Sequence, residues 1–201
     1  SRLHTGLESP TPSSPRPARR MLQSTQRCGQ PAALQIHIMT TPHLPRLGLA
    51  LRALLQARRH AALGTLDAQG GGAFVSMVPF AIDTATQRLV LHVSGLAAHT
   101  ANMAAEPRVS LLVTAADADD APVHDLARVT LQALASTPAP GSAAWATARA
   151  AYLARFPDVE PMTALPDFRF VTLQLIGARQ VAGFGAARSV GPDELAQALA
   201  A

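Results

Sequence analysis

AALGTLDAQGGGAFVSMVPFAIDTATQRLVLHVSGLAAHTANMAAEPRVSLLV, residues 61–113, is the stretch that decides how this chain folds. It holds four apolar, strand-like runs, interrupted once by a short polar helix. AALGTLD (61–67) closes on a turn signal, and AQGGG then makes a Gly-rich hairpin loop in which backbone with φ > 0 is cheap. AFVSMVPFAID (73–83) is the second run. RLVLHVS (88–94) is the third, with Leu89, Leu91 and Val93 on one face and Val90, His92 and Ser94 on the other. GLAAHTANMAAEP is too rich in alanine and too poor in β-branched residues for a strand, so it reads as a helix, and RVSLLV follows as the fourth run. Pro79 cannot donate to a ladder, which places it at a sheet edge, a bulge or a strand end.

Upstream, residues 44–59 form an amphipathic helix. Leu47, Leu51, Leu54 and Leu55 share one face, and Arg52, Gln56 and Arg59 lie opposite. Arg58 and Arg59 suit the negative end of that helix. Residues 1–43 are rich in Pro, Ser, Thr, Arg and Gln and cannot bury enough apolar surface to offset the entropy of ordering. They are expected to be a disordered or non-native extension. Three readings stand for them: a transit peptide, a basic arm for nucleic acid or anionic lipid, or an over-long start with Met39 as the true first residue. The last is favoured, and the domain is placed at 44–201.

Downstream, TAADADDAPVHDLA is an acidic loop. Asp117, Asp119, Asp120 and Asp125 with His124 lack the glycine and terminal glutamate of a calcium loop, so it reads as solvated. RVTLQALA (128–135) alternates cleanly, with Arg128, Thr130 and Gln132 on its polar side. Ser142 caps a helix to about Phe156, whose Trp145, Ala148 and Tyr152 share a core-facing side. DFRFVTLQLI (167–176) is a long strand whose apolar phase slips between Phe170 and Val171, as a bulge or burial on both faces would require. Pro192, Asp193 and Glu194 open a last short helix.

Charge and composition exclude several classes. All 17 basic residues are arginine, so no mechanism can use a lysine Schiff base. Residues 1–47 hold six arginines against one acid, and the remainder holds eleven against twelve. The folded part is thus near neutral, which argues against a duplex-binding surface. No nucleic-acid partner is expected; a third reading, nucleic-acid binding through the Arg-rich tail, predicts that deleting residues 1–38 abolishes salt-sensitive DNA retention. Cys28 is the single cysteine, so there is no internal disulfide and no cysteine zinc site, and a cytoplasmic setting fits. No apolar run is long enough to span a bilayer, and no membrane partner is expected.

The strongest local signal is SGLAAHTAN (94–102). Ser94 suits an N-cap, free N–H groups at a helix start attract anions, and His99, Thr100 and Asn102 add donors. A phosphate could be held there, although a Ser-capped surface helix is the commoner meaning of such a pattern. Other patterns fall away. Gly183-Phe184-Gly185 continues to Arg188 where a dinucleotide fingerprint needs glycine; Gly70–Gly72 lacks the Lys-Ser/Thr of a P-loop. Ser76, Ser94 and Ser110 have no nucleophile-elbow context. The seven histidines show no zinc spacing.

Taken in order, AALGTLDAQGGGAFVSMVPFAID, LVLHVSGLAAHTANMAAEPRVSLLV and ARVTLQALA resemble the FMN-binding split barrel of the pyridoxamine 5′-phosphate oxidase superfamily. The HTAN and PRVSLL segments are the most specific matches. YLARFPD, DFRF and GFGAA point to the branch that includes haem-degrading split-barrel proteins. The resemblance covers about Leu47 to Arg188. It implies a six-stranded antiparallel FMN-binding split barrel of Greek-key character with flanking helices, an α+β fold, forming a homodimer with FMN between subunits. By position, Val75, Ser76, Met77, Val78 and Pro79 would run beside the flavin. Val93 and Ser94, then His99, Thr100 and Asn102, would hold its phosphate, and Arg128 would add a polar contact. The basic pair of those oxidases is replaced by Ala98 and His99, and Val75 and Phe80 stand where they carry Arg and Lys. The oxidases' C-terminal tryptophan and Arg-x-His elements have no counterpart in these residues. Modest, pH-dependent FMN affinity is expected, and pyridoxamine phosphate oxidation itself is not. The resemblance also implies a C-terminal His on haem iron in the haem-degrading relatives, and no His follows His124 here. The first expectation is an FMN-dependent oxidoreductase acting on a small substrate. The alternative is a non-catalytic flavin- or haem-binding dimeric module.

Overall fold

A computed structural model describes residues 44–119, 122–183 and 185–200. The expected extension over residues 1–43 lies outside them. The elements run α1 (Arg46–Ala57), β1 (His60–Leu66), β2 (Ala73–Pro79), β3 (Ala81–Asp83), β4 (Arg88–Ser94), α2 (Ala98–Ala105), β5 (Arg108–Thr114), β6 (Arg128–Ser136), α3 (Ala143–Arg155), β7 (Phe168–Val181), β8 (Ala187–Val190) and α4 (Pro192–Leu199). The strands make one antiparallel sheet of eight, ordered β2-β1-β5-β6-β7-β4-β3, with β8 paired to β7.

The count of eight corrects the expected six. The run at 73–83 breaks at Phe80, whose side chain is fully buried, and the segment after GFGAA folds back as β8 onto β7. That break shapes the sheet. β2 and β3 are joined by Phe80 alone, yet they lie at opposite ends of the strand order. The sheet must therefore curl until its two edges meet at this corner, which is a barrel split between β2 and the β3–β4 side. Pro79 fits here because the Phe80 N–H donates to the Arg59 carbonyl, 3.1 Å. Antiparallel alternation then leaves position 79 with its nitrogen turned off the ladder, where no donor is required.

Inside the curl lies the main core. Leu63, Leu89, Leu91, Leu111, Leu131 and Leu173 come from the sheet, and Leu51, Leu55, Leu195 and Leu199 come from α1 and α4. The phase slip in β7 has two causes. Phe170, Val171, Thr172 and Leu173 are all buried because α3 covers the outer side there, packing Ala148, Tyr152 and Phe156 against Phe170 and Val90. Further along, the register shifts so that Gln132 faces Gly177 while Ala133 faces Leu175, leaving Ile176 as the extra residue of a bulge.

The outer side of the sheet is thus two unlike halves. α3 covers β3, β4 and the start of β7. The β2-β1-β5-β6 half carries no element of its own chain among the described residues. Val75 and Met77 stand there 66% and 67% exposed, with Leu112, Leu134 and Ile176 about two-fifths exposed beside them.

Candidate functional site

The turn after β4 is built differently from its sequence expectation. α2 begins at Ala98, and its N-cap is Ala97 with no side-chain cap. Ser94 is not the cap: its hydroxyl accepts from the Leu96 N–H at 3.1 Å and donates to the Asp167 carboxylate at 3.0 Å. Thr100 is buried and donates to the Ser94 carbonyl at 2.6 Å. Asn102, 2% exposed, accepts from the Ala68 N–H at 2.9 Å and donates to Thr65 Oγ1 at 3.0 Å. Two of the side chains expected to meet a phosphate, Thr100 and Asn102, are thus spent inside the fold. The cause is the composition of α2: Ala98, Ala101, Ala104 and Ala105 all lie on its exposed side, so Thr100 and Asn102 turn inward with Met103.

What remains at this turn is narrow. His99 Nδ1 lies 3.1 Å from Ser76 Oγ on β2, and burial holds the His99 pKa below its ordinary value. The Arg169 guanidinium reaches the turn at Gly95, where a Cβ would stand 2.5 Å from it. The Asp167 carboxylate occupies the same turn. Among the other expected flavin contacts, Val78 and Val93 are buried in the core, and Val75, Met77 and Pro79 point outward. Arg128 sits apart. It pairs with Val181 at one end of β7, whereas Ser94 pairs with Phe168 at the other, roughly 40 Å of strand away. Its guanidinium donates to the Leu126 carbonyl at 3.0 Å. One copy of the chain brings Ser76 and His99 together but not Arg128 with them.

A second concavity was not legible in the sequence. At the corner where β1 begins and β2 ends, a depression of about 360 Å³ is lined by Arg59, His60, Met77, Pro79 and Phe156. It adjoins another of about 210 Å³, which shares His60 and Met77 and adds Arg58, Leu112 and Thr114. Register explains the grouping: His60 faces Pro79 and Ala62 faces Met77, so their side chains stand on the outward face. The charge there is one-sided. The Arg59 guanidinium lies over the Phe156 ring at 4.9 Å and that of Arg155 over Phe80 at 5.4 Å. Burial, and after it the Arg59 charge, pulls the Arg155 pKa below the ordinary guanidinium value. None of Arg58, Arg59 and Arg155 forms an ion pair among the described residues. Arg155 instead donates to the Gln56 carbonyl at 2.9 Å, taking the helix-end role expected of Arg58 and Arg59. Two guanidinium groups, of Arg58 and Arg59, beside apolar walls and with no carboxylate paired to them among the described residues, can seat a flat ligand carrying negative groups.

The curled antiparallel sheet, split at one corner and plugged by helices, defines a split-barrel protein. The family model described as pyridoxamine 5′-phosphate oxidase matches residues 48–182, and the chain belongs to that family. Among relatives, it is 30% identical over 151 residues to the haem oxygenase HutZ of Vibrio cholerae, covering 75% of this chain and 84% of that one. Among solved structures, a haem binding protein from Mycobacterium smegmatis superposes with a TM-score of 0.68 at 29% identity, over 76% of this chain and 61% of that chain. This chain therefore spans under two thirds of the mycobacterial protein. The crystal structure of HutZ, there described as a haem storage protein, gives 0.57 at 27% identity, over 62% and 87%. No helix among the described residues is long and apolar enough to cross a membrane.

Proposed function

We propose that this chain binds haem, and that it does so as a pair of copies joined through the bare half of the sheet. The observation that carries the reading is the groove at His60 and Met77, with its apolar walls and uncompensated guanidinium groups. Haem fits those residues: a broad apolar plate suits Met77, Pro79 and Phe156, and its two carboxylates suit Arg58 and Arg59. When bound, haem supplies iron redox and oxygen chemistry, and the protein supplies position and electrostatics. Support comes also from the named haem proteins among its relatives, and from the α2 turn, where Asp167 already holds Ser94 and would oppose a phosphate.

A second reading, FMN bound as in an oxidoreductase, rests on one observation: the Ser76–His99 pair beside the open edge of β2, with Arg169 near the turn. Absorbance titration of the purified full chain separates the two. The haem reading expects a saturable visible-band change on adding hemin and little uptake of FMN. A yellow protein that retains FMN, or the absence of any saturable hemin signal, contradicts it.

A further inference from the structure

We infer that His60 supplies the imidazole that coordinates iron in this groove. The inference rests on the haem reading above and deepens it. Four histidines lie among the described residues, and three are otherwise engaged or poorly placed. His92 is enclosed by rings, with Phe170, Phe168 and Tyr152 centroids at 4.7, 5.0 and 5.6 Å. His99 is committed through Nδ1 to Ser76. His124 borders a depression of about 290 Å³ walled by Val181, Gly183, Gly185 and Ala187, whose only guanidinium, Arg128, is spent on backbone carbonyls.

His60 is different on each count. It is exposed, makes no side-chain hydrogen bond among the described residues, and is common to both concavities of the groove. It stands at the first position of β1, on the outward face directly across from Pro79, so a paired strand places its side chain at the groove. Arg58 and Arg59 precede it in the chain, Arg58 lining one concavity and Arg59 the other, so one short segment presents an imidazole and two guanidinium groups to adjoining spaces. Iron bound by one imidazole, with carboxylates met by neighbouring arginines, is a ligand set that these three consecutive residues can offer unaided.

The experiment uses the full-length protein and hemin, read by visible absorption and by electron paramagnetic resonance of the ferric complex. Wild type should show an imidazole-bound ferric signature. His60→Ala should still take up hemin but lose that signature, and added imidazole should restore it. His124→Ala, an equally exposed change, should leave the spectra unaltered. The Arg58→Ala/Arg59→Ala double variant should bind hemin about tenfold more weakly while binding hemin dimethyl ester as wild type does. Wild-type spectra from His60→Ala would overturn the assignment of His60 while leaving haem binding intact. Failure of the wild type to take up hemin would instead remove the haem reading itself.

Discussion

Asn102 shows how a side chain placed for a ligand by spacing is taken up by the fold. Three residues on from His99, it looked like a further donor to an anion, yet its amide closes a chain from the Ala68 N–H through Thr65 to the loop and β2. Removing it leaves the Ala68 N–H and the Thr65 hydroxyl short of a partner in a dry place. Asn102→Ala should cost roughly 1–3 kcal/mol in urea unfolding. It should also leave ligand affinity unchanged, whereas a direct phosphate contact would lose affinity first. The spacing of HTAN was legible in the sequence; its direction was not. With Met103 as its one large apolar side chain and its alanines on the exposed side, α2 offers no hydrophobic stripe from which to read the buried face. The Arg58–His60 groove was hidden for another reason. Its walls come from four separated pieces of chain: pairing sets Pro79 across from His60, but only the folded sheet and α3 bring Leu112, Thr114 and Phe156 beside them.

At the scale of elements, strands and helices were legible because alternation and capping residues mark them: Ser142 does accept from the Trp145 N–H, and β6 alternates as written. The division of 73–83 was less so, since Pro79 signals an edge without saying that the strand beyond it joins the opposite one. The packing of α3 on β4 and β7 carries a pH dependence. His92 lies among Phe168, Phe170 and Tyr152, and burial holds its pKa, like that of His99, below the ordinary value of 6.5. The folded state therefore binds fewer protons at these rings than the unfolded chain. Their contribution to stability is complete above pH 6.5 and declines as pH falls below it. Urea midpoints should drop between pH 7 and pH 5, and His92→Phe, which keeps an aromatic ring there, should flatten part of that slope. An unchanged slope would mean that His92 is not shielded.

The whole molecule presents a half-covered sheet. Val75, Met77, Leu112, Leu134 and Ile176 form an apolar face larger than scattered surface residues explain, and a second copy is the occupant we propose for it. Leu134→Glu with Ile176→Glu should convert a dimer into a monomer in sedimentation velocity, while far-ultraviolet circular dichroism stays native. A wild type that sediments as a monomer at micromolar concentration would refute that pairing.

The central claim is about place: the ligand belongs in the arginine-flanked groove at the start of β1, not at the turn before α2. Anomalous diffraction at the iron edge from crystals grown with hemin locates the metal directly. The account predicts a single iron peak beside His60, next to Met77. A peak next to Ser76 and His99, or none within the groove, would contradict it.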